Sequence, residues 1–249
     1  MQSRLDIGGV IRRVFEIYVD QASVLMPAAA AVFVVTGIIS AVLAATGSLL
    51  GVLVALVISL VAGTLFTGMV VELVADVQDG RRDASPGQLL RAATPVIGQL
   101  ILVGIVAGVG IVIGFFLIII PGLILITIWS VAAPVVVLER PAGLGALGRS
   151  RELVRGSGWQ VFGVIVVLDV VVTIVAAIVD GVANSASTGA GIVVRVIVGV
   201  LTAPITALAS AVLYFDLRKL AGGQPPVVGP TDAGSAGGGS SGYDPMNAG

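Results

Sequence analysis

Six apolar stretches, each close to the length a helix needs to cross a bilayer, alternate with short segments that hold nearly all of the charge. A hydrocarbon core about 30 Å thick takes about 20 helical residues, and a backbone inside it must satisfy its own hydrogen bonds. The stretches run roughly from Val24 to Ala45, Leu49 to Val71, Val96 to Phe116, Gly122 to Leu138, Trp159 to Val179 and Ile192 to Leu213. The fourth is short. Pro121 suits a first helical turn and Gly122 interrupts what would otherwise be one continuous run, so a tight hairpin is expected there. Composition points the same way. With 57% hydrophobic and 11% charged residues among 249, the chain has too few polar side chains to coat a water-facing globule. The expected fold is all-α, a polytopic membrane protein of six transmembrane helices.

The basic residues set the expected orientation. With an even number of spans, Arg4, Arg12, Arg13, Arg81, Arg82, Arg91, Arg140, Arg149, Arg151, Arg155, Arg218 and Lys219 fall on one side, and Arg195 alone on the other. Both termini are therefore expected in the cytoplasm. No signal peptide is evident, because the first apolar run is long enough to span and shows no persuasive cleavage site. Arg outnumbers Lys and Ala, Val and Gly abound, which suggests a high-GC bacterial genome and hence an inner-membrane location.

Three charged segments read as short amphipathic helices, each leading into a hairpin of two spans. Ser3-Arg4-Leu5-Asp6 has capping-box spacing, and Ile7, Val10, Ile11, Val14 and Tyr18 follow at helical intervals opposite Arg12, Arg13 and Glu16. Ser85-Pro86-Gly87-Gln88 repeats the cap before Leu89, Leu90 and Arg91. In the third, Ala146, Leu147, Ser150, Leu153 and Val154 oppose Arg149, Arg151, Glu152 and Arg155, and Gly156-Ser157-Gly158 ends it. Such helices are expected to lie in the membrane plane on the cytoplasmic side, with Trp159 as an interfacial anchor. The domain boundary follows from composition: residues 1–220 form the six-helix domain, and 221–249, rich in Gly, Ser and Pro, are expected to be a disordered cytoplasmic tail.

Without histidine or cysteine the chain lacks imidazole bases, thiolate nucleophiles and the zinc sites built from them. No cofactor and no metal are expected, a net charge of -1 offers nothing to nucleic acid, and an intramembrane enzyme would need a pair of aspartates. Asp169, midway along the fifth span, is the leading polar candidate. Thr173, Ala176 and Asp180 share its helical face, and Arg195, Gly199, Thr202, Thr206 and Ser210 form a stripe on the sixth span. The expected arrangement is an interior polar cluster of Asp169, Thr173, Thr202 and Thr206, beside a carbonyl freed by Pro204, and an outer-end ion pair of Asp180 with Arg195. Glu72 and Asp76 are expected to meet arginines of the amphipathic helices, and Glu139 and Arg155 to fix the third of these to the bundle. The Gly104xxxGly108 and Gly110xxxGly114 spacings predict close helix packing. A cytoplasmic surface of Arg12, Arg13, Arg91, Arg149, Arg151, Arg155 and Trp159 is expected to face anionic lipid headgroups.

Pro121-Gly122, Trp129, Ala133-Pro134-Val135-Val136-Val137-Leu138-Glu139, Ala146 to Gly156 and Trp159-Gln160-Val161-Phe162-Gly163 together resemble the glycerophosphoryl diester phosphodiesterase membrane-domain family. Leu5 to Tyr18 and Tyr214-Phe215-Asp216-Leu217-Arg218 resemble that family's opening and ending, so the likeness covers about residues 5 to 220. It implies a six-span bacterial membrane domain, in some proteins joined to a soluble phosphodiesterase. That activity is not implied here, because the barrel that performs it uses histidines. The expected function is a non-enzymatic scaffold, partner-binding or lipid-organising module. The rival is a transporter or permease for a lipid-like or small hydrophobic substrate that uses Asp169 at the midplane.

Overall fold

The computed structural model describes residues 5–80, 86–141, 143–185 and 188–222; the side chains of Asp180 and Arg195 are also outside the described part. The expected caps at Ser3 and Ser85, the arginines Arg4, Arg81 and Arg82, and the tail beyond Gly222 lie outside it as well. Helices account for almost everything described: α1 (Ile7–Asp20), α2 (Ala22–Ala45), α3 (Leu49–Gln78), α4 (Pro86–Ala93), α5 (Ile97–Leu117), α6 (Ile119–Trp129), α7 (Ala132–Glu139), α8 (Gly145–Val154), α9 (Gly158–Ser185) and α10 (Thr188–Leu220). Six segments are long and apolar enough to span a membrane, namely Ala22–Leu43, Leu49–Gln78, Gly87–Leu117, Ile119–Glu139, Gly158–Val179 and Val196–Leu220. The described chain is a multi-pass helical membrane protein with no strand.

Sequential helices pack against each other in three pairs, α2 on α3, α5 on α6 and α9 on α10, while α10 also touches α1, α2 and α3 and is central. Two breaks depart from the expected spans. The turn between α5 and α6 falls at Ile118, whose extended backbone (φ -160°, ψ 145°) stops α5 three residues before Pro121. Pro121 is then the third residue of α6, within the turn whose N–H groups have no helical partner anyway. The hairpin closes because glycines meet across it: a Cβ on Gly122 would lie 2.6 Å from the Phe115 ring, and one on Gly114 3.0 Å from the Gly122 nitrogen.

The fourth span is not one helix. It breaks at Ser130-Val131 between α6 and α7. Pro134 is the cause, since it has no N–H for the Ser130 carbonyl and its ring crowds that carbonyl. α7 then ends on Arg140 in the left-handed conformation (φ 47°, ψ 47°), turning the chain toward α8.

Buried residues concentrate in the half of the bundle that carries the arginines. Phe66 to Val74 of α3, Ala132 to Val137 of α7 and Ala207 to Leu217 of α10 form one continuous core with Val10, Val14 and Ile17 of α1. At the other end Leu49, Leu50, Val112 and Phe116 to Ile120 are uncovered. Lipid, as apolar as leucine, gives such helices no hydrophobic drive to associate, so cohesion rests on close packing and interhelical polar contacts. Both are gathered at the basic end. α1 buries Val10, Val14 and Ile17 and α8 buries Ala146, Leu147, Ser150, Leu153 and Val154, with Arg12 and Glu16 left outside and paired to each other at 3.4 Å.

Candidate functional site

Glu139, the last residue of α7, organises the basic end. Its Oε1 accepts from the Tyr214 hydroxyl of α10 at 2.9 Å, and its Oε2 accepts from Arg149 Nε of α8 at 2.9 Å. Arg149 also reaches Glu152 at 3.3 Å. One carboxylate thus joins three helices through charge-assisted bonds, the strongest kind available to side chains. Arg149 therefore takes the role expected of Arg155, because α8 turns Arg149 and not Arg155 toward Glu139. The Arg218 guanidinium lies 5.9 Å from the Tyr214 ring centre, adding a cation over an aromatic face.

Three further contacts brace the same end. The Ser150 hydroxyl, fully buried on α8, donates to the Ile128 carbonyl at 2.8 Å. That carbonyl has lost its helical partner to the break between α6 and α7, so Ser150 fills the vacancy created by the kink. Gln99 of α5 donates its side-chain amide to the carbonyls of Pro141 and Gly143, the latter at 3.2 Å, holding the link between α7 and α8. Arg13 of α1 forms an ion pair with Asp216 of α10, and the Tyr18 hydroxyl donates to the Leu201 carbonyl at 3.0 Å. Burial raises the Tyr18 hydroxyl above its ordinary 10.0. Among the described residues, the arginine within electrostatic range of Glu72 is Arg140, in the α7–α8 connection.

The expected interior cluster does not form. Asp169 and Thr173 are exposed on the outside of α9, and Asp169 has no hydrogen bond or ion pair among the described residues. Thr202 donates to the Val198 carbonyl at 2.8 Å and Thr206 to the Ala203 carbonyl at 3.0 Å, each within α10. The reason is rotational: the residues that α9 buries, Val161, Val164 and Leu168, lie on the side away from Asp169. An exposed mid-span carboxylate costs about 2.5–3.5 kcal/mol on insertion scales, so the outer face of α9 carries an unresolved penalty. The expected Asp180–Arg195 pair falls on side chains outside the described part.

Polar character inside the bundle comes instead from hydroxyls. A cavity of about 420 Å³ is lined by Ser59, Thr64 and Thr67 of α3, Trp129, Ser130 and Thr206, with Gly63, Gly104 and Ala107 among its small residues. Thr64, Thr67, Ser130 and Thr206 donate to carbonyls three or four residues earlier, which leaves their oxygens free to accept. A neighbouring space of about 430 Å³ adds Thr36 and Ser40, and Ser40 bonds Ser59 at 3.2 Å. Ser59, Thr64 and Thr67 escaped the sequence reading because hydroxyls in a span raise no hydropathy alarm. Asp169 lines neither space. Of the glycine pairs, Gly104 meets Thr64 of α3, Gly110 meets the Trp129 ring and Gly114 meets Gly122, whereas Gly108 faces open space.

A lateral cleft of about 1230 Å³ lies between α6 and the start of α9. Its wall includes Ile120, Leu123, Ile124 and Ile128 of α6, Leu153 of α8, Phe162 of α9 and Leu217 of α10; its mouth carries Glu152, Arg155, Ser157, Trp159 and Gln160. Arg151 and Arg155 are exposed with no ion-pair partner among the described residues, and Trp159 is 84% exposed. Of the other arginines expected at a headgroup surface, Arg12 and Arg91 are exposed, whereas Arg13 and Arg149 are engaged within the protein.

These features define a polytopic helical membrane protein knit together at its basic end. Residues 89–217, just over half of the chain, match the family described as a domain of unknown function (DUF8558), and the chain belongs to that family. No curated protein and no solved structure matches it.

Proposed function

We propose that this protein is a non-enzymatic module of a bacterial inner membrane, with both termini cytoplasmic, that organises lipid by holding an anionic phospholipid in its lateral cleft. The observation that carries the proposal is the pairing of a long apolar wall with an uncommitted cation at its mouth. An acyl chain fits along Ile120, Leu123, Ile124 and Ile128, while Arg155 stands where a phosphate would sit and Trp159 and Gln160 flank it. At about 1230 Å³ the cleft exceeds the roughly 300–1,000 Å³ of sites for drug-sized ligands, as a lipid requires. The likeness to the phosphodiesterase membrane-domain family belongs to the same proposal, since it too implies a lipid-embedded module rather than a catalyst.

The test is lipid retention by the purified full chain in nanodiscs made from equal parts of phosphatidylglycerol and phosphatidylethanolamine. Enrichment of phosphatidylglycerol on the protein should fall about fivefold in Arg155→Gln, given about 1 kcal/mol per interfacial cation. Unchanged enrichment would refute the assignment. A second reading, a permease for a small or lipid-like substrate, draws on the hydroxyl-lined cavity and not on Asp169. Substrate flux in proteoliposomes that Thr67→Val abolishes and Asp169→Ala spares would favour it.

A further inference from the structure

In the outer half of α9 only one side of the helix is covered. From Val166 to Gly181 the opposite side is open, and Asp169, Thr173, Ala177 and Gly181 all stand exposed on it at steps of four residues. Such residues form one ridge that drifts gently around the axis. The residues beside them, Val166, Val170 and Ile174, are branched and exposed, so the ridge is a shallow trough between larger side chains. A Cβ placed on Gly181 would meet nothing within 4 Å. Acyl chains can fill that trough, but they offer no hydrogen-bond partner to the Asp169 carboxyl, which has none among the described residues.

We propose that a second copy of the chain covers this ridge, α9 packing on its counterpart about a two-fold axis along the membrane normal. Copies inserted in the same orientation bring their α9 helices together parallel, so each Asp169 meets the other at the same depth without any adjustment. A different protein would have to place a complementary group at that depth independently. Except for Arg195, the basic residues of the chain lie at the ends of its spans, so what a copy brings to Asp169 is a second carboxyl. Two carboxyl groups satisfy each other when an O–H of one donates to an oxygen of the other. Thr173, Ala177 and Gly181 are the small residues that allow two helix backbones to approach closely, in the right-handed crossing near −40° that spacing by four favours. This interface is independent of the lipid cleft.

The absence of cysteine makes the test clean. Single variants Thr173→Cys, Ala177→Cys and Val171→Cys are made in the full chain, oxidised in native membranes and resolved without reductant. Thr173→Cys and Ala177→Cys should give a disulfide-linked species of twice the 25.0 kDa chain mass, at least five times the yield from Val171→Cys, which is exposed on the other flank. Adding Asp169→Ala to Thr173→Cys should cut that yield severalfold, while Asp169→Asn, which still hydrogen-bonds to its twin, should retain it. Equal yields at all three positions, a product of some other mass, or a Thr173→Cys dimer indifferent to Asp169→Ala would each overturn the proposal.

Discussion

Replacing Tyr214 with phenylalanine removes one hydroxyl from a side chain that is fully buried and leaves its ring in place beneath Arg218. What is lost is the 2.9 Å bond to Glu139 Oε1, together with the hydroxyl's hydrogen bond with Arg218. A hydrogen bond to a charged acceptor contributes about 1.5–3 kcal/mol in soluble proteins, whereas interhelical bonds in membranes average about 0.6 and reach about 1.7. Glu139 is only 19% exposed, so water replaces the lost donor poorly, which argues for the upper part of the membrane range. The expected loss is about 1.5 kcal/mol, or about tenfold in the folded-to-unfolded ratio. Arg149, at 41% exposure, is more screened, and Arg149→Gln should cost about 1 kcal/mol. Both residues serve one carboxylate, so the double variant should depart from additivity by at least about 0.5 kcal/mol. The measurement is reversible unfolding of the purified protein in mixed micelles titrated with dodecyl sulfate, followed by tryptophan fluorescence. A Tyr214→Phe variant as stable as the parent, or strict additivity with Arg149→Gln, would show that Glu139 is not the joint between α7, α8 and α10.

Ser150→Ala should cost about 1–3 kcal/mol in the same titration, because it strands the Ile128 carbonyl at the kink, and a neutral result would mean that another donor reaches it. Gly122→Leu should destabilise by about 1–3 kcal/mol through collision with Phe115, whereas Gly108→Leu, with open space beside it, should be nearly silent; a reversal would misplace the α5–α6 hairpin. The folded-state pKa of Tyr18 lies above its unfolded value of 10.0, so its contribution is complete below pH 10 and is lost as pH rises through the higher folded value. Parent and Tyr18→Phe should therefore differ in stability at pH 8 and converge in strong alkali; a difference that persisted unchanged there would contradict the raised folded-state value.

The number and position of the spans were legible because period, length and charge placement act locally: about 20 apolar residues in lipid have no option but helix, and an apolar face that includes Val10 and Val14 declares which side is covered. The two breaks were half legible. Pro121 and Pro134 are visible in the sequence, but that the chain turns at Ile118 and kinks at Ser130 depends on glycines meeting across the hairpin and on Ser150 being at hand to take the Ile128 carbonyl.

The candidate sites were less legible. The cost of a mid-span carboxylate and the small, polar face it shares with Thr173 and Ala176 put Asp169 inside the bundle, yet the helix that carries it buries a different face, that of Val161, Val164 and Leu168. Helical periodicity fixes which residues share a face; only the neighbours fix which face turns inward. Glu139 and Arg149 likewise appear in the sequence as two charges ten residues apart, and either Arg149 or Arg155 could have met the glutamate. Hydrophobic length thus determined that this chain threads a membrane, and at which residues. Its cleft, its hydroxyl-lined cavity and its polar joint come from rotation and registry between helices, which depend on contacts between residues far apart in the chain.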